Sequence, residues 1–167
     1  TAQAADAAWI GGIGTQNWAD DANWNPAAPG AISGTTNVDT ATFNSNVAGT
    51  AITIDPNRNL RNLTYAATAS GAISIGSSGA NAGNALLLTS GGSLSTALGN
   101  TAVITVDAPL IIQPTSPTGN GSYTFSNNNV ATSATSDPNT YKIFLNGGIS
   151  GGATTGAITL NFGGTAG

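Results

Sequence analysis

The chain contains no cysteine, methionine, histidine or glutamate, and only three basic residues. Without His or Cys, the common nucleophile triads and zinc sites are excluded. Charged residues make up 6% of the 167 positions, against about a quarter in an average soluble protein. The acids are all aspartates: Asp6, Asp20, Asp21, Asp39, Asp55, Asp107 and Asp137; the bases are Arg58, Arg61 and Lys142. A net charge of -4 offers no hold on phosphate, so nucleic acid is not an expected partner. Sugar hydrolysis needs two suitably placed carboxylates, and only Asp20 and Asp21 are close in sequence. The glycine-rich GGIG and SGGS stretches lack a following Lys-Ser/Thr and do not read as phosphate loops. No apolar run approaches membrane-spanning length. The expectation is a non-enzyme with no cofactor, no catalytic residue and no membrane insertion.

What replaces charge is Gly, Ala, Ser, Thr and Asn interleaved with Ile, Leu and Val. Disordered chains combine high charge with few β-branched residues, which is the opposite pattern. No segment sustains a 3.6-residue apolar period. Short strand-like runs recur instead: 51–54, 60–65, 73–75, 86–89, 103–106, 110–112, 123–125, 141–145 and 158–162. In Ile52-Thr53-Ile54 and Ile158-Thr159-Leu160 the alternation leaves one apolar face and one that can meet water. Gly, Asn, Ser and Asp-Pro clusters separate the runs, with longer polar loops at 113–121 and 126–140. Asn-Gly hairpin signals occur only at Asn120-Gly121 and Asn146-Gly147. That scarcity favours a β-solenoid, whose chain lays each turn on the last, over a β-sandwich, which is the alternative.

A layout of motifs narrows this further. Trp9-Ile10-Gly11-Gly12, Trp18, Asn23-Trp24, Pro29-Gly30 and Asp39-Thr40-Ala41-Thr42-Phe43 together resemble the opening of the autotransporter-associated β-strand repeat proteins. Leu60-x-x-Leu63-Thr64-Tyr65, Ile104-x-Val106-Asp107-Ala108-Pro109-Leu110 and the glycine-rich 145–151 segment are similar to later parts of the same family. The resemblance implies an exported, right-handed parallel β-helix with no catalytic signature. It suggests an N-terminal arm over 1–8, a cap segment over 9–40 and a solenoid over 41–167, one domain overall.

Trp18 and Trp24, with Asp20 and Asp21 between them, admit three readings. Exposed indoles stack on sugar rings, and clustered Asp can hold calcium. A solenoid also needs an atypical terminal cap, for which tryptophan supplies large buried area. The cap is the favoured reading, with Trp9, Trp18, Trp24 and Phe43 as its packing residues. Calcium at Asp20 and Asp21 and polysaccharide at the indoles are the lesser ones. Asp39 and Asp107 read as turn residues, and Arg58 and Arg61 as an exposed corner. Thr40-Ala41-Thr42 is an isolated hint of the threonine arrays that bind ice.

The small-residue box Ala2-Gln3-Ala4 is similar to a secretory cleavage site, which adds to the expectation of a secreted, cell-surface location. The last strand, ITLNFGGTAG, carries no Pro, charge or plug to protect its edge. The expected function is a structural subunit that self-assembles head to tail into a filament or layer. The contact residues are then Ala2, Ala4, Ala5 and Ala8 in the arm, and Ile158, Leu160 and Phe162 at the far end. The alternative is an N-terminal module of a longer adhesin that binds polysaccharide.

Overall fold

The computed structural model describes residues 6–45, 47–76, 83–129, 143–152 and 154–164. Ala2, Ala4 and Ala5, and the Tyr141-Lys142 start of one expected strand, lie outside the described residues. The described residues form β-strands and one short 3₁₀ turn at Asp21–Asn23. In chain order the strands are β1 (Ala7–Trp9), β2 (Gly14–Asn17), β3 (Trp24–Asn25), β4 (Thr40–Phe43) and β5 (Thr50–Thr53). There follow β6 (Asn59–Tyr65), β7 (Ser70–Ile75), β8 (Leu86–Thr96), β9 (Thr101–Val106) and β10 (Leu110–Ile112). The last are β11 (Gly121–Ser126), β12 (Ile143–Phe144), β13 (Ile149–Gly151) and β14 (Ile158–Gly163).

These strands build two sheets with mostly parallel ladders. Sheet B has the order β12-β9-β7-β5-β2. Sheet A runs β13-β10-β8-β6-β4-β1-β3, with β11 pairing both β8 and β14. From β4 to β9 the chain alternates between the sheets, so β4 pairs β6, β5 pairs β7, β6 pairs β8 and β7 pairs β9. The antiparallel pairings among the described strands are β1 with β3 and the isolated Ala31–Asn59 bridge. A sandwich built of hairpins would be antiparallel, so that alternative does not describe these ladders. Asn146-Gly147 is a turn between β12 in sheet B and β13 in sheet A, and Gly121 opens β11; neither makes a hairpin.

Sheet A is bent into two panels. The run expected at 86–89 continues as a strand to Thr96, and the SGGS corner lies inside it. Gly91 has φ +76 there, and a Cβ on Gly92 would come within 2.7 Å of the Arg61 carbonyl. Leu86–Leu88 pairs with β10, whereas Ser93–Ser95 pairs with β11. β6 shifts register at the same bend, between Leu60 and Asn62. One panel therefore holds 59–60, 86–88, β10 and β13. The other holds β1, β4, 62–65, 93–96, β11 and β14.

Alternation places one set of side chains inside. Ala41, Phe43, Leu63, Tyr65, Leu94, Tyr123 and Phe125 point in from the second panel, and Ile52, Ile73, Ile75, Ile104 and Val106 from sheet B. They form one continuous core. Two of the polar residues that enter it, Asn100 and Thr96, are paired. Asn100 donates to Ala66 O at 2.7 Å and accepts from Ala102 N at 2.9 Å. Thr96 accepts from Asn128 N at 2.8 Å. Neighbouring segments approach so closely that two positions require glycine. A Cβ on Gly71 (φ +82) would lie 2.6 Å from Ala48 Cα, and one on Gly76 (φ +85) 2.5 Å from Ala108 Cβ.

Candidate functional site

The tryptophan-rich segment is folded against one end of both sheets. Asp20 accepts from Ala22 N at 3.0 Å and so starts the 3₁₀ turn at Asp21–Asn23. Asp21 accepts from Ala28 N at 2.9 Å across the loop that follows. Both carboxylates thus organise local backbone, as short acidic side chains do in turns. Among the described residues no three His, Cys, Asp or Glu gather as a metal site would need.

All three indoles are buried, Trp18 completely. Trp9 and Trp24 meet edge to face with centroids 4.9 Å apart, and Trp18 lies 4.8 Å from Trp24. Phe43 joins Trp9 and Trp24 at 5.7 Å each, and stacks on Tyr65 at 5.0 Å. Such contacts add about 0.5–1.5 kcal/mol each beyond the area buried. The polysaccharide reading of Trp18 and Trp24 required exposed ring faces, and the structure corrects it: these faces contact protein.

β3 crosses in front of β1 in antiparallel register, pairing Trp24 with Trp9 and Asn25 with Ala8. On its other side β1 pairs with β4, Ala7 with Ala41 and Ala8 with Thr42. This corrects the expected arm: Ala8 is a strand residue with both edges occupied, and the sheet begins by Ala7. Asp6 adds a bond to Thr40 N at 2.8 Å.

Arg58 is the second correction. It was expected at an exposed corner and is instead 5% exposed, while Arg61 is exposed. The Arg58 guanidinium makes a two-point ion pair with Asp55 at 2.9 and 2.8 Å. Its Nη1 also donates to the carbonyls of Pro29 and Gly30 at 3.1 and 2.9 Å. Asp39 works beside it, accepting from Gly30 N at 3.0 Å and Asn37 Nδ2 at 3.1 Å. The 30–39 segment is fastened further along the sheet by Thr89 Oγ1 on Asn37 O at 2.6 Å. The Asp55-x-x-Arg58 spacing was the available signal for a paired arginine. Asp107, read as a corner residue, accepts from Asn146 Nδ2 at 2.9 Å.

The opposite end is built differently. β14 pairs with β11 along one edge, β13 with β10 and β12 with β9. Ile158 is half-buried, Leu160 is 37% exposed and Phe162 67%, its ring stacked on Phe125 at 5.4 Å. A cavity of about 250 Å³ opens here between Leu94, Phe125, Ile143, Leu145 and Phe162. A separate groove of about 480 Å³, lined by Ile32, Pro56, Asn84, Leu87 and Ile111 among others, contains no ionisable side chain.

Tyr65 and Tyr123 are buried, and burial raises both phenols, Tyr123 to about 12 and Tyr65 further. Among the described residues neither hydroxyl has a hydrogen-bond partner. Among the described residues no helix is long and apolar enough to cross a membrane. No family model, no curated protein and no solved structure matches this chain.

Proposed function

We propose that the chain is a non-catalytic structural subunit of an exported surface assembly: a right-handed parallel β-helix that joins head to tail. The observation that carries this reading is that, among the described residues, sheet B ends in strands paired on one side, β2 at one end and β12 at the other. Strand edges of this kind template the pairing of another chain. In β2, Gly14 N and Trp18 N donate inward to Gly49 and Thr53. By alternation the Thr15 N–H faces away from the sheet. Ile10 and Ile13 flank this edge at 59 and 72% exposure. On sheet A, β3 lies across the front, so the joint runs through sheet B, with Leu160 and Phe162 packing beside it. The export component rests on Ala2-Gln3-Ala4 and on the motif resemblance, and the near absence of charge removes repulsion between stacked copies.

Sedimentation velocity and negative-stain electron microscopy over a concentration series test this. The expected result is linear oligomers that disappear in Thr15→Lys, a charge placed on the pairing edge, with circular dichroism unchanged. A chain that stays monomeric at every concentration, or oligomers indifferent to Thr15→Lys and Phe162→Lys alike, would sink the joint.

A further inference from the structure

The outward side of the second panel carries a pattern that the linear sequence disperses. Thr40-Ala41-Thr42 in β4 lies in register with Asn62-Leu63-Thr64 in β6. That segment pairs with Ser93-Leu94-Ser95 in β8, and the latter with Thr124-Phe125-Ser126 in β11. β14 continues with Asn161-Phe162-Gly163. In the first four tripeptides the middle residue is buried and the outer two face solvent. One row of hydroxyl and amide groups therefore runs across five strands (Thr40, Asn62, Ser93, Thr124, Asn161), and a second of hydroxyls across four (Thr42, Thr64, Ser95, Ser126), ending at Gly163. Strands stand about 4.8 Å apart, and alternate residues on one strand roughly 6.6 Å.

The two rows differ in how they are held. In the first, Asn62 Nδ2 donates to Thr40 Oγ1 at 3.2 Å and Ser93 Oγ to Asn62 Oδ1 at 3.0 Å. Asn161 Nδ2 reaches out of the row, to Ser122 Oγ at 3.0 Å, two residues from Thr124. Within the row, Thr40, Asn62 and Ser93 are thus fixed by one another. In the second row Thr42, Thr64, Ser95 and Ser126 make no side-chain hydrogen bond to a described residue, and their hydroxyls are left to solvent.

The chemistry of the array narrows its partner. No charged residue stands in either row, so a charged polymer or lipid headgroup finds no counterion. No aromatic ring faces outward from these positions, so a sugar chain finds no stacking platform. Large aliphatic side chains are likewise absent from both rows, and with them the anchor of a protein interface. What remains is a periodic set of groups that bond as water does.

We propose that this face binds an ice surface. Ordering a water molecule at a protein surface costs up to about 2 kcal/mol, and a lattice presents its waters already ordered. A register-locked hydroxyl array meets that lattice without ordering its own side chains. The inference rests on strand register alone and not on the end-to-end joint, so either can fail without the other.

The test is thermal hysteresis and ice-crystal shaping by the purified full chain, with Thr64→Lys and Ser95→Lys in the middle of the array. Thr105→Lys, outward on sheet B, is the control, and thermal melts of all three establish folding. The expected result is faceted crystals and a freezing gap for the parent chain and Thr105→Lys, and neither for the two array variants. Absence of shaping by the parent, or equal loss in Thr105→Lys, would overturn the proposal. So would co-sedimentation with crystalline cellulose or chitin, or dimerisation, lost in Ser95→Lys without any effect on ice. Either would assign the face to that partner.

Discussion

Trp18 and Arg58 donate to the same carbonyl oxygen, that of Pro29: the indole Nε1 at 3.0 Å and the guanidinium Nη1 at 3.1 Å. The Trp24 indole in turn donates to Trp18 O at 2.9 Å. One backbone atom thus joins the aromatic cluster, the 26–30 loop and the entry to β6. The end of the fold is held by directed bonds as well as by buried area, which aims Trp18 and Trp24 inward.

Removing the arginine therefore does more than delete a charge. Asp55 is left with an unpaired carboxylate in a half-buried site, and the Pro29 and Gly30 carbonyls each lose a donor. Breaking one side of a buried pair costs about 3–5 kcal/mol. Arg58→Ala should lower the urea midpoint by a corresponding amount, whereas Arg61→Ala, exposed, should stay within about 0.5 kcal/mol.

The indoles should report their burial directly. Native fluorescence is expected to be blue-shifted and resistant to acrylamide quenching, since the three tryptophans are at most 2% exposed. Adding soluble polysaccharide should leave it unchanged. Trp18→Ala is expected to cost about 3–5 kcal/mol in chemical denaturation, as for other large-to-small core changes.

Stability should fall at alkaline pH. The folded chain keeps Tyr65 and Tyr123 protonated where an unfolded chain releases those protons, near pH 10. The folded state then binds more protons than the unfolded one, so stability is complete below about pH 10 and declines as pH rises toward 12 and above. Melting temperatures measured from pH 8 to about 12, with tyrosinate absorbance, should track together. Tyr123→Phe should flatten part of the decline and be neutral or stabilising at pH 7, because its hydroxyl is buried without a partner among the described residues.

Two stacked phenylalanines should separate stability from association. Phe125, 6% exposed, fills the core, and its replacement by alanine should cost about 3–5 kcal/mol. Phe162 is 67% exposed, and Phe162→Ala should cost about 1 kcal/mol or less, mostly its ring contact with Phe125. Denaturation reads the first and sedimentation the second. If Phe162→Ala destabilises as much as Phe125→Ala, the ring belongs to the core and not to a contact surface.

Gly71→Ala and Gly76→Ala test the closeness of neighbouring segments. Each would place a Cβ against the backbone of another segment, at Ala48 or Ala108, at a positive φ. Both should destabilise well beyond the gain of about 0.4–1 kcal/mol that Gly→Ala brings at unstrained sites. Gly34→Ala, also at positive φ but with open space around it, should bear only the strain component.

Local pattern alone determined much of this protein. Period-two alternation and glycine or asparagine punctuation located most strands to within a few residues, because each strand's alternation is set by its own two faces. Scarce charge, with no His or Cys, removed whole classes of chemistry before any coordinate was known. Tertiary structure decided the partners. The first row of the outward array advances by 22 residues from Thr40 to Asn62 and by 31 from Asn62 to Ser93, because the loops between strands differ in length. No linear repeat was visible, so Thr40-Ala41-Thr42 stood alone until register aligned it with its neighbours. β1, β2 and β3 are too short to announce themselves, and depend on pairing with β4, β5 and β1. Arg58 carries the same lesson: its burial follows from two carbonyls 28 and 29 residues away, which only the fold brings within reach.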